Sequence, residues 1–475
     1  PAPVRVERKP APALPLRQRI GWLTTLTLPL ATYQAALYGG LPQHSAIYLG
    51  LFAMTALMWL FALVDEYIPP LIAIVAMLFI ELVPPRIALS GFYSRAFLLL
   101  LGVYALSAVL VSSGLAYRAM LWTLLKMPDR PFWHRAALTA FGFVLSIVMP
   151  SSNARLALLL PLYREMDASL GARSHSREAS ALMIAAFTGA TLFSPLLLTA
   201  KSANLAAFTM LPAQVRTEFQ GSYWLVAAAV AAAGLIGAHL LAMRLLFKPQ
   251  HSQPLPRERI AGQLAILGPL GRAEWVAAAA FLVFLAGAAL PQWHQSQTAW
   301  LAALVLVALL ALGALDKKGF QALDWPIIFF LLSLDGFTEA LNYLGLREVL
   351  VGAIGSSLDW IDGQLGWFVL LALVVTLLLR LVMPITAGMV MAATLLLPLG
   401  TAQGIHPWIV VFLASLFSDI WFLPHQNSAY GQALASGLRQ RCDEALFMQY
   451  SWWLNGLRVL LAYASIPYWQ WLGLY

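Results

Sequence analysis

The chain is 475 residues long, 61% hydrophobic and only 11% charged, with a net charge of +8. About a quarter of a soluble domain is charged, so this make-up, with a mean hydropathy of +0.76, excludes water as the only solvent. The excess Lys and Arg lie in short loops between apolar stretches, as in the cytoplasmic loops of membrane proteins, which argues against a nucleic-acid partner. The one cysteine, Cys442, excludes an intramolecular disulfide and a cysteine-held metal.

Residues 1–20 open the chain with a Pro- and Arg-rich stretch, Pro1–Arg19. They read as a cytoplasmic arm, or as a linker left after an upstream segment, with room for an upstream regulatory domain. A bilayer core of about 30 Å needs about 20 apolar residues of helix. Eleven crossings are predicted, at 21–40, 45–64, 68–84, 95–114, 180–210, 222–246, 274–291, 298–314, 325–344, 407–437 and 452–472. Two further apolar segments, 136–163 and 364–403, are interrupted by a polar or Pro-containing tip and read as re-entrant hairpins.

Charge tests this count. With the arm inside, alternate loops should be basic. On that side fall Arg118, Lys126, Arg130 and Arg135, then Arg164, Arg173 and Arg177, then Lys248, Arg257, Arg259 and Arg272, then Lys317 and Lys318, then Arg439 and Arg441. Opposite loops are poorer, although Arg86 and Arg347 break the bias. The expected orientation is N-terminus cytoplasmic and C-terminus outside, in a bacterial-type inner membrane.

The halves share a plan. Ser112–Leu115 after the fourth span echoes Tyr343–Leu346 after the ninth. Each precedes a hairpin ending in Leu-Leu-Leu-Pro-Leu, at Leu158–Leu162 and Leu395–Leu399. Five crossings per copy turn the second upside down. The fold class is therefore an all-α polytopic membrane protein, with eleven transmembrane helices and two re-entrant hairpins in two inverted-topology repeats. Repeat 1 covers 45–246, a cytoplasmic linker 247–273, and repeat 2 covers 274–475. Inverted repeats whose broken helices meet near mid-membrane are the architecture of secondary transporters.

Four interruptions carry the chemistry. The first tip reads Pro150-Ser151-Ser152-Asn153-Ala154-Arg155. Polar backbone at membrane depth is tolerated where protein buries it or it lines a cavity, and helix starts there present N–H groups to an anion. The fifth span breaks at Pro195, followed by Thr199, Lys201 and Asn204; the tenth breaks at Pro424, followed by His425, Gln426 and Asn427. Arg155 and Lys201 could serve as built-in cations for an anionic substrate, or could be structural. Asp335 and Glu339 lie one turn apart. They could pair with Arg155, Lys201 or Arg380, or carry a coupling proton. Asp419 lies near the cavity edge or in a helix pair.

These motifs resemble the divalent anion/sodium symporter family, which includes sodium-dicarboxylate cotransporters and dicarboxylate or citrate exchangers. Asp65-Glu66-Tyr67-Ile68-Pro69 resembles its Thr-Glu-x-Ile-Pro, and Ser151–Arg155 its exchanger-type Ser-Asn-Thr-Ala-Arg. Leu197–Asn204 resembles its Phe-Leu-Thr-Ala-x-x-x-Asn, and Leu423–Gly437 its Leu-Pro-x-x-Thr-Pro-Pro-Asn region. The resemblance implies a homodimer, an elevator motion, and paired tips that bind carboxylate and frame sodium. This chain departs from the pattern. Ser152 and Asn153 stand where the first tip would have Asn and Thr; the second tip is either Gly388-Met389-Val390 or Ile385-Thr386-Ala387; and Ser428-Ala429-Tyr430 replaces Pro-Pro-Asn. The departures weigh against sodium coupling, and no cofactor is expected.

The expected function is a non-enzymatic secondary carrier of small di- or tricarboxylate-like anions, by exchange or without sodium. The candidate substrate residues are Ser151, Ser152, Asn153, Arg155, Thr199, Lys201, Asn204, Thr386, Gly388, His425, Gln426 and Asn427, and the coupling candidates are Asp335 and Glu339. The alternatives are a proton-coupled or uncoupled carrier of another anion such as sulfate, or a transporter-like receptor. No paired nucleophile and base, metal triad or phosphate loop supports an intramembrane enzyme.

Overall fold

A computed structural model describes residues 15–170, 174–220, 222–247, 257–289, 298–355 and 364–475. Residues 1–14 of the expected arm, 248–256 of the expected linker and the loop 292–297 lie outside these. Among the described residues every regular element is helical. The first helix starts at Leu16, and Arg17 donates to the Leu60 carbonyl of the next helix at 3.0 Å.

Among the described residues, four helices are long and apolar enough to cross a membrane alone: Gln43–Phe61, Pro131–Val148, Arg272–Ala289 and Ile385–Ala402. Other long helices, such as Trp325–Tyr343 and Glu444–Ala464, carry more polar residues, and several apolar ones are shorter. Residues 222–246 form Tyr223–Ala227 and Ala229–Leu245, stepped at Ala228. The third expected span holds only the short helix Ile68–Phe79, followed by left-handed backbone at Glu81. Tryptophans and leucines such as Leu26, Trp122, Trp275, Leu304 and Trp471 face outward, as a lipid-facing surface requires.

Both hairpins form. The first runs Pro131–Val148 and returns as Ser152–Leu170; the second runs Leu365–Val382 and returns as Ile385–Ala402. Both turn at Met-Pro, Met149-Pro150 and Met383-Pro384. Proline has no N–H to continue the outgoing helix and suits the start of the returning one. Both expected breaks also form. Arg177–Thr191 is separated from Ser202–Thr209 by a 3-10 turn at Leu198–Ala200. Pro407–Ser418 is separated from Ser428–Ala435 by a 3-10 turn at Pro424–Gln426.

The sequence echo corresponds to a local structure. Gly114 (φ +80°) and Gly345 (φ +68°) take left-handed backbone, which glycine adopts without a Cβ penalty. Each turns the chain out of a span into a shorter helix, Leu115–Lys126 and Leu346–Gly355. The first of these bends 60° away from the span before it. Close packing fixes the first hairpin to the first broken span. A Cβ on Gly142 would lie 1.9 Å from the Gly189 carbonyl oxygen, so backbone meets backbone there.

Candidate substrate site

The hairpin tips and helix breaks meet. The Ser202 N–H donates to the Pro150 carbonyl at 3.0 Å, tying the first tip to the first break. Arg155, wholly buried, reinforces this junction. Its Nε donates to Ala190 O (2.8 Å), one Nη to Met149 O and Ala200 O (2.6 Å), and the other to Ser194 Oγ (2.9 Å). These acceptors come from the tip and from both sides of the break. Thr199 caps the same junction, its hydroxyl donating to Ile147 O at 2.6 Å.

Arg380 does the same at the second tip. Its Nε donates to Ser418 O (3.0 Å), one Nη to Met383 O (3.0 Å), and the other to Gln426 O (2.5 Å). A tip carbonyl and carbonyls on both sides of a break again surround one guanidinium. Gln426 braces its own loop, its Oε1 accepting from Phe422 N (2.8 Å) and Leu423 N (3.0 Å). Gly388 is buried, and a Cβ there would crowd the Arg380 stem at 3.3 Å. Glu66 meets Thr386 and lies within electrostatic reach of Arg380, which brings the Asp65–Pro69 motif to the second tip.

Lys201 joins the two breaks. Its Nζ lies 2.5 Å from Asp419 Oδ1 and 2.7 Å from Ser418 Oγ. Asp419 is therefore held in an ion pair between the two breaks. Asn204 supports the pair from behind, donating to Ser194 O (2.7 Å) and Leu197 O (3.0 Å) and accepting from Ser415. At the mouth of the first tip, Ser151 Oγ accepts from Ala154 N at 3.3 Å, and Asn153 pairs with Ser428 at 3.1 Å. Asn427 caps the Ser428–Ala435 helix, its Oδ1 accepting from Tyr430 N at 3.2 Å. His425 lies on the 3-10 turn, and its side chain is outside the described set.

These elements enclose a cavity of about 30 Å³, lined among others by Ser152, Ser194, Arg380, Asp419, Asn427 and Arg458. All four interruptions and the last long helix, Glu444–Ala464, contribute. The sequence reading missed Arg458. A charge near the middle of a span is a functional signal by itself, although Arg458 lies outside the tips and breaks.

Two expectations need correction. Arg155 is not free to meet a substrate, because its N–H groups are turned to backbone carbonyls. Asp335 and Glu339 do not pair with Arg155, Lys201 or Arg380. They line a separate cavity of about 610 Å³ with Arg86, Arg216 and Arg347, and Arg216 is the cation facing Asp335. The Trp325–Tyr343 helix that carries them packs against Pro85–Tyr93 and the far half of the first broken span, away from the tips.

Broken helices and paired hairpins meeting at a buried, cation-rich centre define a polytopic membrane transporter, not an enzyme. The chain belongs to the family described as the sodium:sulfate symporter transmembrane region, whose profile matches residues 19–474. It is therefore a member of an anion-transporter family. It is 21% identical to the inner membrane protein YbhI of Escherichia coli K12 over 400 residues, 81% of each chain. It is also 27% identical over 239 residues to a membrane protein of Cupriavidus necator, over 49% of this chain and 46% of that relative. Among solved structures, the YdaH transporter of Alcanivorax borkumensis, reported to have an unusual topology, superposes with a TM-score of 0.51. That match covers 81% of this chain and 87% of the other at 17% identity.

Proposed function

We propose that this chain carries small divalent anions, di- or tricarboxylate-like, by alternating access and without sodium, most simply by exchange. The observation that carries the reading is where the two guanidiniums lie. Sodium at a hairpin–break junction would need a cage of oxygen ligands. At both junctions the converging carbonyls instead accept from Arg155 and Arg380. A tethered cation holds each junction closed, so the residues present do not fit a sodium ion.

Charge supports the substrate class. Arg155, Lys201, Arg380 and Arg458 are buried around the junctions, opposed by Asp419 and by Glu66. Asp65, next to Glu66, is exposed and screened. Four cations against two carboxylates leave two positive charges unmatched in a medium where unpaired charge is costly. A dianion would match them.

In this reading the two hairpins and two broken spans move as one body, in an elevator motion against the remaining helices. The paired Gly turns and Met-Pro tips support two inverted repeats, and the family resemblance supports a homodimer. The N-terminus is cytoplasmic and the C-terminus outside, in an inner membrane. A proton-coupled carrier of another anion such as sulfate is the second reading. The acid pair Asp335 and Glu339 in the larger cavity favours it.

Counterflow in proteoliposomes separates these readings. Labelled succinate, citrate and sulfate are offered to vesicles preloaded with the same unlabelled anion, under sodium, choline and pH gradients. Uptake should require the internal anion and be equal in sodium and choline. Uptake that follows a sodium gradient would overturn the proposal, and uptake that follows a pH gradient would favour the second reading.

A further inference from the structure

Asp419 is the carboxylate on which the central cations converge. Its Oδ1 holds Lys201 at 2.5 Å, and Arg155, Arg380 and Arg458 all lie within reach of its charge. Its Oδ2 is buried with no hydrogen-bond partner, and so is Nε of Arg458, a side chain 4% exposed. Both residues line the cavity of about 30 Å³, with Ser152, Thr191, Asn427 and Ser451 around them. A space of that size holds about one water and no organic anion. An open acceptor, an open donor and several hydroxyls thus face a volume closed around a carboxylate of the protein itself.

We propose that Asp419 is a tethered stand-in for the substrate carboxylate, occupying Lys201 while the carrier is empty. When an anion enters, Asp419 gives up the lysine, the junction opens, and Lys201 and Arg458 receive the incoming carboxylate. The inference rests on the anion-carrier reading above. Two arguments support it. A buried lysine without a counter-charge is strongly disfavoured, so the empty site needs a carboxylate. Lys201 and Asp419 sit on different broken spans, so trading partners changes the contact between the two halves of the core. Asp419 therefore regulates affinity and the return of the empty carrier.

The test compares wild type, Asp419→Asn and the double variant Lys201→Met/Asp419→Asn. Binding of succinate, citrate and sulfate is read by calorimetry on purified protein, and flux in proteoliposomes. With the competitor removed, Asp419→Asn should bind the wild-type anion at least about tenfold more tightly. It should keep exchange but lose net efflux into anion-free buffer. The double variant should bind at least about tenfold more weakly than wild type. A folded Asp419→Asn with equal or weaker affinity than wild type would overturn the inference alone. Should Asp419→Asn not fold, the double variant, which leaves neither charge of the pair unmatched, decides: lost binding supports the inference and wild-type binding overturns it. A wild type that binds none of the three anions overturns the carrier reading, and this inference with it.

Discussion

Replacing Arg155 by alanine should make the stability of the protein depend on sodium. The guanidinium satisfies the carbonyls of Met149, Ala190 and Ala200 and the hydroxyl of Ser194. Truncation leaves three buried carbonyls without donors, at about 1–3 kcal/mol each. Removing one partner from a buried charged cluster costs about 3–5 kcal/mol, and that is the expected loss. The four acceptors left behind are all oxygens, a donor set suited to a hard cation. Sodium at 100 times its dissociation constant would return about 2.7 kcal/mol. The assay is thermal unfolding of purified protein in sodium chloride and in choline chloride at equal ionic strength. Wild type should melt at one temperature in both salts, whereas Arg155→Ala should melt lower in choline and recover most of the loss in sodium. Equal melting of the variant in both salts would refute the argument that these carbonyls form a cation cage held by arginine.

Arg86 and Arg347, the two residues that defy the charge bias of the loops, line the larger cavity together. If they concentrate anions at its mouth, Arg86→Gln/Arg347→Gln should raise KM several-fold with little change in maximal rate. It should also flatten the dependence of uptake on ionic strength, and unchanged kinetics would dismiss the role. Alanine at Gly142 should lower the melting temperature, by at least the 1–3 kcal/mol or so typical of overpacking, because its Cβ would meet the Gly189 carbonyl at 1.9 Å. Gly431, inside a helix with no heavy atom within 4 Å of a Cβ, is the control, and alanine there should be neutral or stabilising by about 0.5–1 kcal/mol. On the basic-loop face, the Tyr430 hydroxyl and Arg439 hold the Glu444 carboxyl below its usual range. A lowered acid contributes stability that is complete above the ordinary Glu value of about 4.3 and is lost as pH falls through the lower folded value. Glu444→Gln should remove that part of the acid dependence in melts between about pH 3 and 6 and leave the rest; an unchanged profile would show the pair contributes nothing.

The hairpins and breaks were legible because proline and polar residues interrupt apolar runs, and such interruptions have few structural outcomes inside a bilayer. Met149-Pro150 and Met383-Pro384 mark both tips without any knowledge of long-range contacts. The Gly114 and Gly345 echo was legible as text, but not as paired left-handed turns that launch short helices. Partner choice was much less legible. Lys201 meets a carboxylate 218 positions away, and nothing local to residue 201 distinguishes Asp419 from Asp335. Arg155 read as a candidate ligand because a charge at a polar tip suits an anion. Its local sequence does not reveal that three carbonyls converge on it. Nor did the sequence reading single out the buried set in which His239 joins Tyr450 at 2.6 Å and Thr139 at 2.9 Å. This set links the 229–245 helix to the last long helix and the first hairpin, with its members scattered over three apolar segments.

The two guanidinium latches are not copies of one residue. Arg155 lies on the returning limb of its hairpin, after the tip proline, whereas Arg380 lies on the outgoing limb, before it. What the two junctions share is the demand: a helix stops, a broken span unwinds beside it, and the freed carbonyls are buried and need donors. That demand can be met by a diffusible cation or by a tethered one reaching in from either limb. A diffusible cation can bind and leave during a cycle and so couple transport to its own gradient. A tethered guanidinium cannot leave. Under the proposed function, with both junctions held by arginine, the anion itself becomes the species whose arrival and departure drive the cycle. Exchange follows from that constraint more directly than symport does.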